Sequence, residues 1–226
     1  MRIHVTCPFY LLFDRNTMGV NTLFNLGGPV MYFLMLLSVY ALAVILYKIH
    51  IYKKVNFFES TSIVSSISLW KSGNQEEAYD LIKKANHPVE EVASFAMYQL
   101  LKNKKPTARV EEELKEEIVR LSDERIDYYN SKLSGLQVIA TIAPLLGLLG
   151  TIFGMIDAFQ QLEMAGKNVD PAMLSGGIWE ALLTTAAGLS IAIPVVICES
   201  WFRGLTERLK TSIESSITQI FNSHIM

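Results

Sequence analysis

Three stretches of this chain, 16–47, 133–156 and 181–198, contain no Lys, Arg, Asp, Glu or His. In hydrocarbon every backbone polar group must be paired within the segment, so an apolar run of this kind crosses a bilayer as a helix. About 20 helical residues span the roughly 30 Å apolar layer. The first run has 32 residues and the last only 18, so the last must recruit flanking residues. The chain is predicted to be an all-α integral membrane protein with three transmembrane helices.

The basic residues orient these helices. Of the 20 Lys and Arg, 14 fall within 48–132, including Lys48, Lys53 and Lys54 after the first run and Lys132 before the second. The segment 157–179 has one, Lys167, and the tail has Arg203, Arg208 and Lys210. Cytoplasmic loops carry the basic excess. The expected order is therefore an extracytoplasmic segment at 1–24 with a short interfacial helix, spans at 25–47, 133–159 and 172–201, a cytoplasmic helical region at 48–132, a short outer loop at 160–171, and a cytoplasmic C-terminal helix at 202–226.

Within the cytoplasmic region Gly73-Asn74, Asn86-His87-Pro88 and Lys104-Lys105-Pro106 separate helices. Thr107 is positioned to cap a helix whose first turns hold Glu111, Glu112 and Glu113. Val110, Leu114, Ile118, Leu121, Ile126 and Tyr129 then recur near helical period without a breaker. One helix is expected from Thr107 to about Phe159. Asp170-Pro171 supplies an N-cap and first-turn proline for the third span. The series Phe202, Leu205, Leu209, Ile213, Ile217 and Ile220 continues that helix past the membrane. The internal region is expected to be a bundle made by extensions of the membrane helices.

Catalysis is poorly supplied. His4, His50, His87 and His224 have no spacing that places two on one helical face, and Cys7 and Cys198 have no CxxC partner, so neither a metal site nor a disulfide framework is expected. There is no phosphate-binding loop and no nucleophile elbow. The net charge of −2 gives no nucleic-acid footprint. No cofactor is expected, and the chain is read as a non-enzyme.

The second and third apolar runs differ from ordinary spans in their small and hydroxyl residues. Gly147, Gly150 and Gly154 mark one flattened stripe beside Thr151, with Pro144 toward the inner half; Ala181, Thr184, Thr185, Gly188 and Ala192 mark another, followed by Pro194. Small residues let helix backbones approach closely in lipid. Taken alone they favour close packing, each threonine bonding back to its own helix. Glu180 lies about 15 Å along the helix that starts at Pro171. Inside the bilayer it would need a polar interior or partner; the alternative places it among headgroups. The midplane itself holds no titratable group, so a proton path through this chain would need hydroxyls, water and a carboxylate supplied by a partner helix.

At these residues the sequence resembles the MotA/TolQ/ExbB proton-channel family: IAPLLGLLGTIFG at 142–154 is similar to its second-span motif, and GIWEALLTTAAGL at 177–189 with Ile193-Pro194 to its third. Three spans place it on the ExbB/TolQ branch. The resemblance implies that Thr151 and Thr185 line a central pore and that Glu180 is the family's intramembrane Glu. It further implies a homopentameric ring around a pair of single-span ExbD- or TolR-like helices, each bringing one Asp, with a TonB- or TolA-like energy transducer as a further partner. The location implied is the bacterial inner membrane, N-terminus periplasmic and C-terminus cytoplasmic, in contact with lipid and without nucleic acid. The function expected is a stator subunit that converts proton flow into movement of a partner. A passive scaffold or a small secondary transporter are the rival readings.

Overall fold

A computed structural model describes residues 28–54, 61–84, 86–103, 108–165 and 171–225. The expected interfacial helix at 1–24, the caps Thr107 and Asp170, Lys167, Cys7 and His4 lie outside these residues. Among the described residues there are seven helices and no strand: α1 (Gly28–Lys54), α2 (Thr61–Lys71), α3 (Gln75–Ile82), α4 (Pro88–Lys102), α5 (Ala108–Asn130), α6 (Leu133–Ala165) and α7 (Pro171–Ile225). The stretches Gly28–Lys53, Arg109–Met164 and Ser175–Ser223 are long and apolar enough to cross a membrane. The all-helical, three-span expectation is met.

The helices form two compact units. The first contains 28–40 and 139–194, and the second contains 41–138 and 195–225. In the first unit Val30 and Leu34 of α1 pack with Ala143 of α6 and Ala192 of α7, and Met31, Leu146, Ala187 and Ile191 close around them. Large apolar side chains elsewhere on these helices stay exposed, among them Leu145, Phe153, Leu182 and Ile193. That is the surface expected where lipid or another helix replaces water. Pro144 and Pro194 both sit within unbroken helices.

In the second unit the breakers act as expected. Gly73 takes φ 90° in the α2–α3 turn, a conformation that costs glycine nothing. His87 caps α4, its Nδ1 accepting from the Val89 N–H at 3.3 Å, with Pro88 following. The anticipated series is buried at Leu114, Ile118, Ile126, Tyr129, Phe202, Leu205, Leu209, Ile213 and Ile220. Val110 is exposed instead, and buried Ser122, which donates to the Ile118 carbonyl, packs inward where the series predicts Leu121. The unit is more than a set of extensions, because α2, α3 and α4 supply core of their own: Trp70, Ile82, Val92, Ala96 and Met97. Trp70 Nε1 donates to the Ile220 carbonyl at 3.2 Å. Arg125 grips Glu91 with two nitrogens, tying α5 to α4.

Two helix boundaries depart from expectation. The single helix from Thr107 to Phe159 is interrupted at Ser131-Lys132, where Lys132 takes φ 65°. Such a left-handed residue ends a helix but is usually Gly, since a Cβ there costs about 1–2 kcal/mol. Local and distant partners offset it: Ser131 Oγ donates to the Tyr128 carbonyl at 2.7 Å, and Lys48 Nζ to the Tyr129 carbonyl at 2.6 Å. At the other end α6 runs to Ala165, past the expected stop, because 160–165 is polar but helix-favouring. Gln161 Nε2 reaches back one turn to Asp157 at 2.9 Å.

Candidate functional site

The seam between α6 and α7 is built by absent side chains. A Cβ placed on Gly147 would meet the Thr184 carbonyl oxygen at 2.9 Å, and one on Gly188 would meet the Ala143 carbonyl oxygen at 2.5 Å. Those neighbours are backbone and have no rotamer to change. A Cβ on Gly150 would strike Thr184 Oγ1 at 2.5 Å, one on Gly154 the Ala181 methyl at 2.9 Å, and one on Gly177 the Ala158 methyl at 2.7 Å. The two helices therefore touch along Ala143, Gly147, Gly150, Gly154 and Ala158 on one side and Gly188, Thr184, Ala181 and Gly177 on the other. This closeness brings a second-helix hydroxyl within reach of a first-helix carbonyl.

Three threonines use that reach differently. Thr184, only 2% exposed, directs its Oγ1 both to the Ala181 carbonyl at 2.7 Å and across the seam to the Gly147 carbonyl at 3.0 Å. Thr185 donates across the seam alone, to the same Gly147 oxygen at 3.1 Å. Thr151 bonds back to its own helix, to the Leu148 carbonyl at 2.6 Å, and is partly exposed. Self-bonding thus describes Thr151, while Thr185 is an interhelical tie.

Helix phase separates the polar groups into two sets. At about 100° per residue, Thr151 and Thr185 each fall roughly 60° to one side of the seam, and Asp157 and Glu180 roughly 70° to the other. Glu180 is partly buried in α7, and the structure does not bring it to the two threonines. Asp157, inside the expected second span, is a residue that sequence reasoning did not single out; its place directly after the charge-free run 133–156 was the available signal. An open hollow lined by α6 residues starts at Thr151 and turns away from the seam past Met155 and Phe159 to Glu163. Among the described residues no group of three His, Cys, Asp or Glu is placed to hold a metal.

Hydroxyls on one side of a close-packed helix pair can order water and hand on protons. Comparison with known proteins points the same way. Residues 84–215 match the MotA/TolQ/ExbB proton channel family. The chain is 28% identical over 183 residues to the biopolymer transport protein ExbB homolog of Methanothermobacter thermautotrophicus, covering 80% of this chain and 62% of that protein. It is 36% identical over 92 residues to biopolymer transport protein exbB1 of Vibrio cholerae (41% of this chain, 40% of that protein), and 39% identical over 72 residues to the Tol-Pal system protein TolQ of Haemophilus influenzae (32% and 31%). The chain thus spans less than two thirds of the length of each of these relatives.

Proposed function

Because this chain belongs to the MotA/TolQ/ExbB proton channel family, we propose that it is an ExbB/TolQ-like stator subunit through which proton flow across the inner membrane energises a partner. Copies of the chain, five by family resemblance, surround a pair of single-span helices of ExbD or TolR type. The faces carrying Thr151 and Thr185 look inward. Each partner helix brings an Asp, which takes a proton arriving from the outside and releases it inward. A charge crossing the membrane is worth about 2.3 kcal/mol per 100 mV. A protonated Asp is less costly beside the apolar part of the ring than a charged one, so gain and loss of the proton step the inner helices against the outer ones.

The observation that supports this reading is the shared side of Thr151 and Thr185 beside the Gly147 carbonyl. Glu180 faces the other side with Asp157 and is assigned to tuning proton access or fixing subunit contacts. A TonB- or TolA-like transducer is the further partner, and the N-terminus is periplasmic with 48–132 inside. Proton flux into liposomes holding the purified chain, with and without an Asp-bearing single-span partner, tests the reading. A stator conducts only with the partner, a scaffold conducts with neither, and a transporter requires a solute.

A further inference from the structure

Lys48 is the first charged residue after the apolar part of α1, and its side chain is completely buried in the second unit. Its Nζ donates to the Tyr129 carbonyl at 2.6 Å, in the last turn of α5 before the interruption. Among the described residues no carboxylate lies within ion-pairing distance of it. The neighbouring titratable groups come from every element around it. From the turn comes Lys132, whose ammonium lies 4.4 Å over the Tyr47 ring. α1 brings Tyr52, and α5 brings Tyr129 with its ring 5.7 Å from that of Tyr52. Behind Tyr129 stand Arg125 and, from α4, Glu91. From α7, Phe202 stacks on Tyr52, Thr206 bonds its hydroxyl, and Glu199 and Arg203 pair with each other at the exposed edge.

A buried ammonium held by one carbonyl and no counter-charge favours its neutral form. We infer that Lys48 is a latch between α1 and the α5–α6 interruption that answers to alkalinisation on the cytoplasmic side, closing when it loses its proton and loosening when it gains one. The cytoplasmic address rests on the orientation proposed above; the latch does not. Burial, with Lys132 adding to it, brings the Lys48 ammonium from 10.5 down to about 8. When the contact opens to water the group returns to its ordinary value. Opening therefore takes up protons between pH 8 and 10.5 and becomes easier as pH falls through that window, levelling off below 8. Between pH 9 and pH 7 opening should rise about tenfold. Tyr129, pushed up to about 12 by burial, does not titrate there.

Hydrogen exchange of the full-length chain in lipid nanodiscs, read at the amides of 131–136 and corrected for the intrinsic pH dependence of exchange, tests this. The wild type should open about tenfold more often at pH 7 than at pH 9, Lys48→Met should open rarely at both, and Lys48→Arg should open often at both. Wild-type opening that does not change with pH, or a pH dependence retained in either variant, would overturn the inference. Should Lys48→Met not fold, Lys48→Arg still decides. Loss of partner-dependent proton flux with the exchange pattern intact would count against the channel reading alone.

Discussion

Thr185 on α7 donates its hydroxyl hydrogen to the carbonyl oxygen of Gly147 on α6, 3.1 Å away across the seam. The same oxygen receives Thr184, so one carbonyl collects two hydroxyls from the neighbouring helix. Only a glycine at 147 lets α7 come this near. Thr185→Val keeps the shape and removes the donor. Partner-dependent proton flux should fall at least tenfold while the oligomer still assembles, as read by liposome flux beside mass on detergent extraction. Unchanged flux in both Thr185→Val and Thr151→Val would remove the pore role of this side of the seam.

Thr184 should respond differently, because it is buried and bonds both helices. Thr184→Val should lower stability by about 1 kcal/mol, the usual net worth of a buried hydrogen bond. Thermal unfolding of the purified variant measures it; a drop no larger than that of Thr185→Val would show that the cross-seam bond of Thr184 adds nothing.

Gly188 and Gly204 make a controlled pair on one helix. The first faces the Ala143 carbonyl and the second has nothing within 4 Å of a placed Cβ. Gly188→Ala should cost about 1–3 kcal/mol by overpacking, whereas Gly204→Ala should gain up to about 1 kcal/mol by removing helix-interior glycine entropy. Midpoints shifted in the same direction would contradict the assigned contacts. Should Gly204→Ala instead break assembly with stability raised, another chain packs at that point.

Lys132→Gly removes the strain of a left-handed residue and should raise stability by about 1 kcal/mol. It also takes away the charge beside Lys48, so the pH window of opening should move upward. A thermal midpoint that falls would mean that the stacking of Lys132 on Tyr47 outweighs the strain.

Glu90 sits in the first turn of α4, 6% exposed, and burial raises its carboxyl above the ordinary value. A carboxyl raised in the folded state is protonated there at a pH where the unfolded chain is already charged. Stability therefore falls as pH rises from the ordinary carboxylate range through the folded value. Glu90→Gln should flatten that slope and raise the midpoint at pH 7. An identical pH profile in the variant would show that the carboxyl is hydrated in solution.

Much of the fold is legible along the chain because its signals are local. Charge-free runs long enough for a bilayer mark the spans, and Gly73, Pro88 and the apolar spacing of 202–220 mark turns and buried faces. The glycine and alanine stripes also predict a close seam. What local patterning leaves out is which carbonyl a hydroxyl will find: Thr151 bonds within its own helix, whereas Thr185 bonds to Gly147 across the seam. It also leaves out that Asp157 shares a side of the seam with Glu180, because that depends on how α6 and α7 pack, and that α6 runs on to Ala165, since leaving an apolar layer does not end hydrogen bonding along the backbone.

The sequence by itself determined that three helices cross a membrane, that two of them approach closely, and that no ionisable side chain of its own waits at the midplane. Those properties follow from transfer energies and side-chain volumes, which each residue carries wherever it is placed. Only the tertiary structure decided that the threonines share one side of the seam and the carboxylates the other. It also decided that the long helix breaks at Lys132. A left-handed lysine is unfavourable on its own and persists because Lys48, 84 positions earlier in the chain, is buried against the Tyr129 carbonyl beside the break.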